Sequence, residues 1–243
     1  MLFWILIIPA TAFVGLESDY NLISAFHQKI GFNFREAQEN VLIPPRLLDK
    51  YIGHTLVKMT HQLPTAIWSA CVPLQFHPSI RRNYRSLHRY TGRLFAVSSY
   101  ISMGGVFILL RRNLGFSRHL DLDLLPEEHK LHIIPILKMT MDEAQLLFLV
   151  GGWFLYTLTR SIYYARQKDF ANHQRWMVRH VAGGIWVAVQ RLLVGIIGAS
   201  YGFLIGKVPV SGHVQGLVFG QSGVAAIIGC VLMGEYTIRL MNE

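Results

Sequence analysis

Apolar positions in this chain gather into stretches long enough to cross a bilayer, and most charged positions fall between them. Spanning roughly 30 Å of hydrocarbon takes about 20 helical residues. Runs of that order lie at 54–76, 90–110, 144–164, 177–206 and 214–238, with a shorter sixth at the start, MLFWILIIPATAFVGL. The pattern predicts an all-α, polytopic integral membrane bundle of about six transmembrane helices. Residues 1–53 would supply an N-terminal membrane helix and a loop, and 54–243 the bundle, with a long loop inserted at 111–143. The first segment lacks the positive flank of a signal peptide, so it reads as a membrane helix, with a cleavable segment as the alternative.

Polar residues inside the spans keep to stripes. Advancing 100° per residue, His54, His61, Thr65, Trp68 and Gln75 share one face, with Pro64 expected to loosen the backbone beside His61. His88, Gly92, Ser99 and Ser102 share another, and Gln145, Gly152, Tyr156, Thr159 and Tyr163 a third. In the fifth span His173, His180 and Arg191 lie on one line with Gly184, Gly198 and Gly202. Four such faces in lipid predict a shared four-helix polar core. Arg175 and Arg179 point almost oppositely, where arginines near a helix end reach lipid headgroups. Arg191 sits near the bilayer centre and requires an acceptor, a water-filled cleft or an anionic ligand. Glycines at every fourth position, Gly198, Gly202 and Gly206 and then Gly212, Gly216 and Gly220, predict a tightly packed hairpin of the last two spans.

Composition agrees: 52% hydrophobic and 15% charged residues leave too little charge to solvate a globular surface. The formal charge of +9 has a topological explanation. Threading the spans in order puts the short connections near 77–89 and 165–176 on one side, side B, with a concentration of arginines. The longer loops, richer in acidic residues, lie on side A. The positive-inside rule makes side B cytoplasmic, matrix or stromal, together with both termini. An inner mitochondrial, plastid or bacterial plasma membrane fits this, and no tract suggests nucleic-acid binding. Cys71 and Cys230 lie in spans as small apolar residues, and form no metal or disulfide pattern.

The histidines carry the candidate chemistry. His88 and His173 begin their spans on side B, where opposed imidazoles could ligate a haem b iron. Arg89, Arg93 and Arg175 could clamp propionates or another anion. His180, Arg191 and His61 complete the candidate cofactor-binding set, for a quinone-type or anionic ligand. The weaker EEHKLH cluster, with Glu127, Glu128, His129 and His132, reads as a solvated loop. The several HxxH pairs that a di-iron site needs are not found, and the GASYG run at 198–202 lies inside a predicted span and not at a strand-to-helix elbow. A P-loop and a dinucleotide fingerprint are absent from the sequence, so whether the chain is an enzyme is left open.

The blocks PLQFHPSIRRNYRSLHRYTGRLF at 73–95 and YARQKDFANHQRWMVRHVAGGIWVAVQRL at 164–192 resemble the signatures of an uncharacterised membrane protein family, domain of unknown function 2306. The matching positions are His88, Arg89, Gly92, Arg93, His173, Trp176, Met177, Arg179 and Arg191. The resemblance covers roughly 54–206 and implies a bundle of at least four helices, with no established reaction. His180 departs from the family's usual small polar residue. Two functions follow as expectations. One is a redox or cofactor-binding membrane protein. The other is a non-catalytic accessory or scaffold subunit of a larger respiratory or photosynthetic complex, binding lipids and neighbouring subunits. A transporter or proton relay is a third, weaker option.

Overall fold

The computed structural model describes residues 53–114, 143–205, 212–241 and 243. The expected helix at 1–16, the loop that follows it, and nearly all of the 111–143 loop with its EEHKLH cluster lie outside the described residues. Among the described residues there is helix but no strand. In chain order they form α1 (Thr55–Val57), a π-helical turn (Lys58–Gln62), α2 (Leu63–Phe76), α3 (Pro78–Asn83), α4 (Arg85–Arg111), α5 (Glu143–Arg166), α6 (Phe170–Ile205) and α7 (Gly212–Leu240).

Four helical segments are long and apolar enough to cross a membrane: Arg85–Arg111, Gln145–Arg166, Phe170–Gly198 and Val218–Leu240. They lie in α4, α5, α6 and α7, consistent with an integral membrane protein. The run at 54–76 is helical from Thr55 but divided, and the division has a local cause. Pro64 has no N–H, and its ring would crowd the carbonyl four residues back. The Leu63 N–H donates instead to the Lys58 carbonyl, five residues back, which widens the turn. Gly105 of α4 faces this widened backbone. A methyl group on it would lie 2.5 Å from the Thr60 carbonyl carbon, so α4 approaches the turn as closely as it does because the residue is glycine.

The connections follow from equally local rules. His77 is extended (φ −69°, ψ 120°) ahead of Pro78, which opens α3. The ends of α4 and α5 are closed by left-handed residues, Asn113 at φ 55° and Lys168 at φ 60°. Leu114 N donates to Leu109 O and Asp169 N to Tyr164 O, both at 3.0 Å, satisfying carbonyls that a helix end leaves free. Leu114 is buried against Leu109, the apolar contact that usually accompanies this closure. Asp169 then begins α6, its Oδ1 accepting the Asn172 N–H at 3.1 Å. The Asn172 side chain and backbone hold the Asp169 carboxyl below the usual carboxylate range, with Arg175 adding to the effect.

Successive long helices run antiparallel, because contacts pair rising residues on one with falling residues on the next: Thr65 with Ser102 and Gln75 with Thr91, Phe154 with His180 and Ser161 with His173. The core gathers Trp68, Cys71, Phe95, Met103, Phe154 and Leu158 from α2, α4 and α5. Where the surroundings are hydrocarbon, close fit rather than water exclusion holds helices together. The α6–α7 pair shows it: a methyl on Gly234 would lie 2.9 Å from Ala182 Cβ, and one on Gly223 3.0 Å from Gln190 Nε2. The expected hairpin of the last spans thus forms, with its visible close approaches at Gly223 and Gly234. The side chains around Gly202, Gly206, Gly212 and Gly216 lie outside what is described.

Three of the four expected polar stripes face neighbouring helices. The fourth is mostly exposed: Tyr156 and Tyr163 on α5 are 49% and 51% exposed and Gly152 meets open space, although Thr159 reaches Tyr100 of α4 at 3.0 Å and Tyr156 touches Trp176 of α6. The buried line of α5 is instead Gly151, Phe154, Thr157, Leu158 and Ser161. Tyrosine keeps a polar tip on a large apolar ring and suits the outer belt of a membrane protein. Small hydroxyls tuck inward: Thr157 Oγ1 bonds back to the Trp153 carbonyl at 2.9 Å.

Candidate functional site

At the centre of the bundle stands His180, fully buried on α6. Its Nδ1 lies 3.0 Å from the Phe154 carbonyl of α5, and its Nε2 3.2 Å from the Trp68 indole nitrogen of α2. A carbonyl can only accept and an indole N–H can only donate. Nδ1 therefore carries the proton and Nε2 offers its lone pair, fixing one neutral tautomer. Ser99 of α4 approaches Nε2 at 3.3 Å, while its hydroxyl donates to Phe95 O at 2.8 Å. The rings of Phe154 and Phe95 close around the imidazole, with centroids 4.0 and 5.2 Å away. Gly184, one turn on, makes room, since a methyl there would lie 2.6 Å from the Phe154 ring and 2.7 Å from that of Trp68. Four helices meet on this one side chain, and the protein itself engages both of its nitrogens. The cofactor role expected for His180 finds no free ring nitrogen here.

A second node lies toward side A. His61, on the π-turn, places Nδ1 3.2 Å from the Ser102 carbonyl and 3.3 Å from its hydroxyl. Thr65 Oγ1 donates to His61 O at 2.6 Å and accepts from Ser102 Oγ at 2.7 Å. This node stitches the π-turn and α2 to α4. At the side-A ends, Arg112 reaches His54 Nδ1 at 3.2 Å.

The side-B mouth is built differently. His173 Nδ1 lies 3.0 Å from the Ser161 carbonyl, which again assigns it the proton, and 2.9 Å from Ser161 Oγ. The hydroxyl donates in turn to His173 O at 3.2 Å. This clasp to α5 orients the ring and leaves the Nε2 lone pair outside it. His173 and Arg81 both lie within charge-interaction range of His88. The His88 Nδ1 is buried and has no hydrogen-bond partner. Gln75 sets the height of His88 by donating to its carbonyl at 3.2 Å and to Thr91 Oγ1 at 2.6 Å, above Gly92. An open surface hollow of about 600 Å³ lies over the α3–α4 turn, lined by Arg82, Asn83, Tyr84 and Arg85, and His88 is not part of its wall. Arg89 and Arg93, expected as anion clamps, are both exposed, the latter 5.9 Å over Tyr90.

The remaining arginines have found partners that sequence alone did not name. Arg179, expected at lipid headgroups, pairs in a two-pronged bridge with Glu235 of α7, at 2.6 and 2.8 Å, over the Trp176 ring. Arg175 donates to Asn172 at 3.2 Å within the Asp169 turn. Arg191 lies half-buried, its guanidinium 4.9 Å over the ring of Phe219, whose carbonyl accepts from Gln190 at 2.8 Å. Ser161 and Glu235 are the residues that sequence reasoning missed. Glu235 carried a signal, as a carboxylate inside an apolar run; phase arithmetic on one helix cannot say which partner waits on the next. Among the described residues no group of three or more His, Cys, Asp or Glu is placed to hold a metal ion. No family model, curated protein or solved structure matches this chain.

Proposed function

We propose that this integral membrane protein carries its functional centre at the side-B mouth, where His88 and His173 would hold a haem b. The observation that carries this reading is the contrast within the pair. The His173 Nδ1 proton is fixed on a backbone carbonyl, the arrangement that readies an imidazole's other nitrogen for a metal. His88, within charge-interaction range of it, keeps a buried nitrogen without a hydrogen-bond partner. When bound, such a haem supplies one-electron transfer. The protein would contribute ring orientation through Ser161 and Gln75, and a positive surround from Arg81, Arg89 and Arg93. The resemblance of the 73–95 and 164–192 blocks to domain of unknown function 2306 joins the same two histidines. The 55–76 rod would be a fifth membrane-crossing segment, and the arginine-rich side B would face the cytoplasm, matrix or stroma.

The test is a reduced-minus-oxidised absorption spectrum of the purified full chain. A haem band lost in both His88→Ala and His173→Ala, but kept in His61→Ala, is the expected result. Absence of any haem band from preparations made with haem supplied would sink the proposal. The second reading, an accessory subunit of a larger membrane assembly, draws on the interhelical engagement of His180, His61 and Arg179. Residues spent on holding helices together suit a scaffold. Gentle solubilisation followed by native electrophoresis tests it, with migration in a large assembly expected.

A further inference from the structure

We propose that the outer face of α5, α6 and α7 is a binding site for one anionic phospholipid, with the phosphate held by Arg160 and an acyl chain laid in an apolar groove. The groove is a hollow of about 280 Å³ whose walls include Leu149, Trp153, Gly183, Trp186, Ile227 and Val231. On all three helices these positions lie at mid-depth. Toward side B the walls give way to an aromatic patch, where Trp153 stacks on Trp176 and Tyr156 with centroids 6.4 and 5.9 Å apart. Two arginines rest on the far side of this patch, Arg160 at 5.6 Å and Arg179 at 4.9 Å from Trp176. Tail groove, aromatic belt and cations thus follow one another along the bundle in the order in which acyl chain, glycerol region and phosphate occur in a lipid.

Charge complementarity selects the occupant. Arg179 is neutralised by Glu235. Arg160 meets only π faces and a phenol: Tyr163, Tyr164 and Trp176 at 4.9–5.6 Å, and Tyr164 Oη at 2.7 Å. Its Nε has no acceptor, and no carboxylate among the described residues pairs with it. Arg160 lies six residues before the end of α5, about 9 Å along the axis, within reach of headgroup phosphates. A cation solvated by ring faces at that depth, beside an apolar trough, fits an anionic lipid better than a zwitterionic one, whose own choline or amine competes for the phosphate.

The full chain, reconstituted in vesicles, supplies its own probe, since Trp153 and Trp186 line the groove and Trp176 caps it. Quenching of tryptophan fluorescence by brominated phosphatidylglycerol in a phosphatidylcholine bilayer is compared with the reverse labelling. The expected preference for the anionic lipid is roughly five-fold, the effect of one basic residue near the surface. Arg160→Gln should reduce it to near unity, and Arg166→Gln, an exposed cation on the same helix, should leave it unchanged. Val231→Phe should fill the groove and weaken quenching by either lipid. Equal quenching by both lipids in the native chain, an unchanged preference in Arg160→Gln, or relief of quenching by inorganic phosphate alone would overturn the proposal. Should Arg160→Gln fail to insert, undiminished quenching in Val231→Phe would do the same.

Discussion

The bundle centre and the side-B mouth use the same residue types to opposite ends. Around His180 every strong donor meets an acceptor: indole to Nε2, Nδ1 to carbonyl, hydroxyl to carbonyl, with three aromatic rings excluding anything else. At the mouth the His88 Nδ1 remains without a partner, as does the Arg160 Nε on the outer face of α5. An unpartnered polar group in low-dielectric surroundings is unfavourable by about 1–3 kcal/mol. A fold tolerates it where something other than the protein supplies the missing acceptor or donor. The difference teaches where to look: a buried histidine marks a function less reliably than one whose bonding is incomplete.

The comparison breaks most sharply at its satisfied end. His180→Ala opens a cavity between four helices and strands the Trp68 N–H, while the Phe154 carbonyl keeps the Thr157 hydroxyl at 3.0 Å. A loss of roughly 3–5 kcal/mol is expected, read from the unfolding midpoint in micelles. Trp68→Phe combined with His180→Phe removes donor and acceptor together while keeping ring volume, and should recover much of that loss. If His180→Ala proved nearly neutral, the knot would not be what holds these helices. Next comes Gly105→Ala, which pushes a methyl into the Thr60 backbone at the π-turn. Overpacking of this kind is worth about 1–3 kcal/mol. The variant should also disturb the His61–Ser102 node, visible as a changed His61 imidazole resonance, whereas the His88–His173 mouth should stay as it is.

How much of this was legible beforehand depended on what each helix alone could say. Ser99, Ser102, Gly92 and Thr65 all lie at helix contacts, because small side chains gain by turning inward. The α5 stripe was read as inward because Tyr156 and Tyr163 were counted as equals of serine, although an aromatic ring with a hydroxyl tip is at home facing lipid; Thr159 does reach a neighbour, Tyr100 of α4. The inward position of His180 was legible from its phase; its lock was not, because Trp68 and Phe154 belong to helices distant in sequence. Arg179 was read as outward and solvated for the same reason, since Glu235 lies 56 residues away. The division at Lys58–Gln62 was half legible, through Pro64, which fixes where the hydrogen-bond ladder must slip but not how wide the turn becomes.

The smallest effect is expected at the α5–α6 turn, which positions the mouth from outside. Asp169 holds the first turn of α6 through the Asn172 N–H, and its carboxyl titrates below the usual range because Asn172 and then Arg175 favour the charged form. A depressed folded-state value means that the charge contributes fully above the unfolded-state value, near pH 4, and that the contribution fades as pH falls through the lower, folded-state one. Asp169→Asn keeps a capping oxygen but has no charge to lose. Its stability should therefore trail that of the native chain slightly above about pH 5 and converge with it in stronger acid. A constant offset across that range would mean that the carboxylate's charge has no part in the cap. Since the same turn carries His173 four residues on, with its N–H on the Asp169 carbonyl at 3.0 Å, the comparison also has a spectroscopic arm. Fraying of the first turn in acid should loosen the His173–Ser161 clasp at the mouth while leaving His180 locked at the centre.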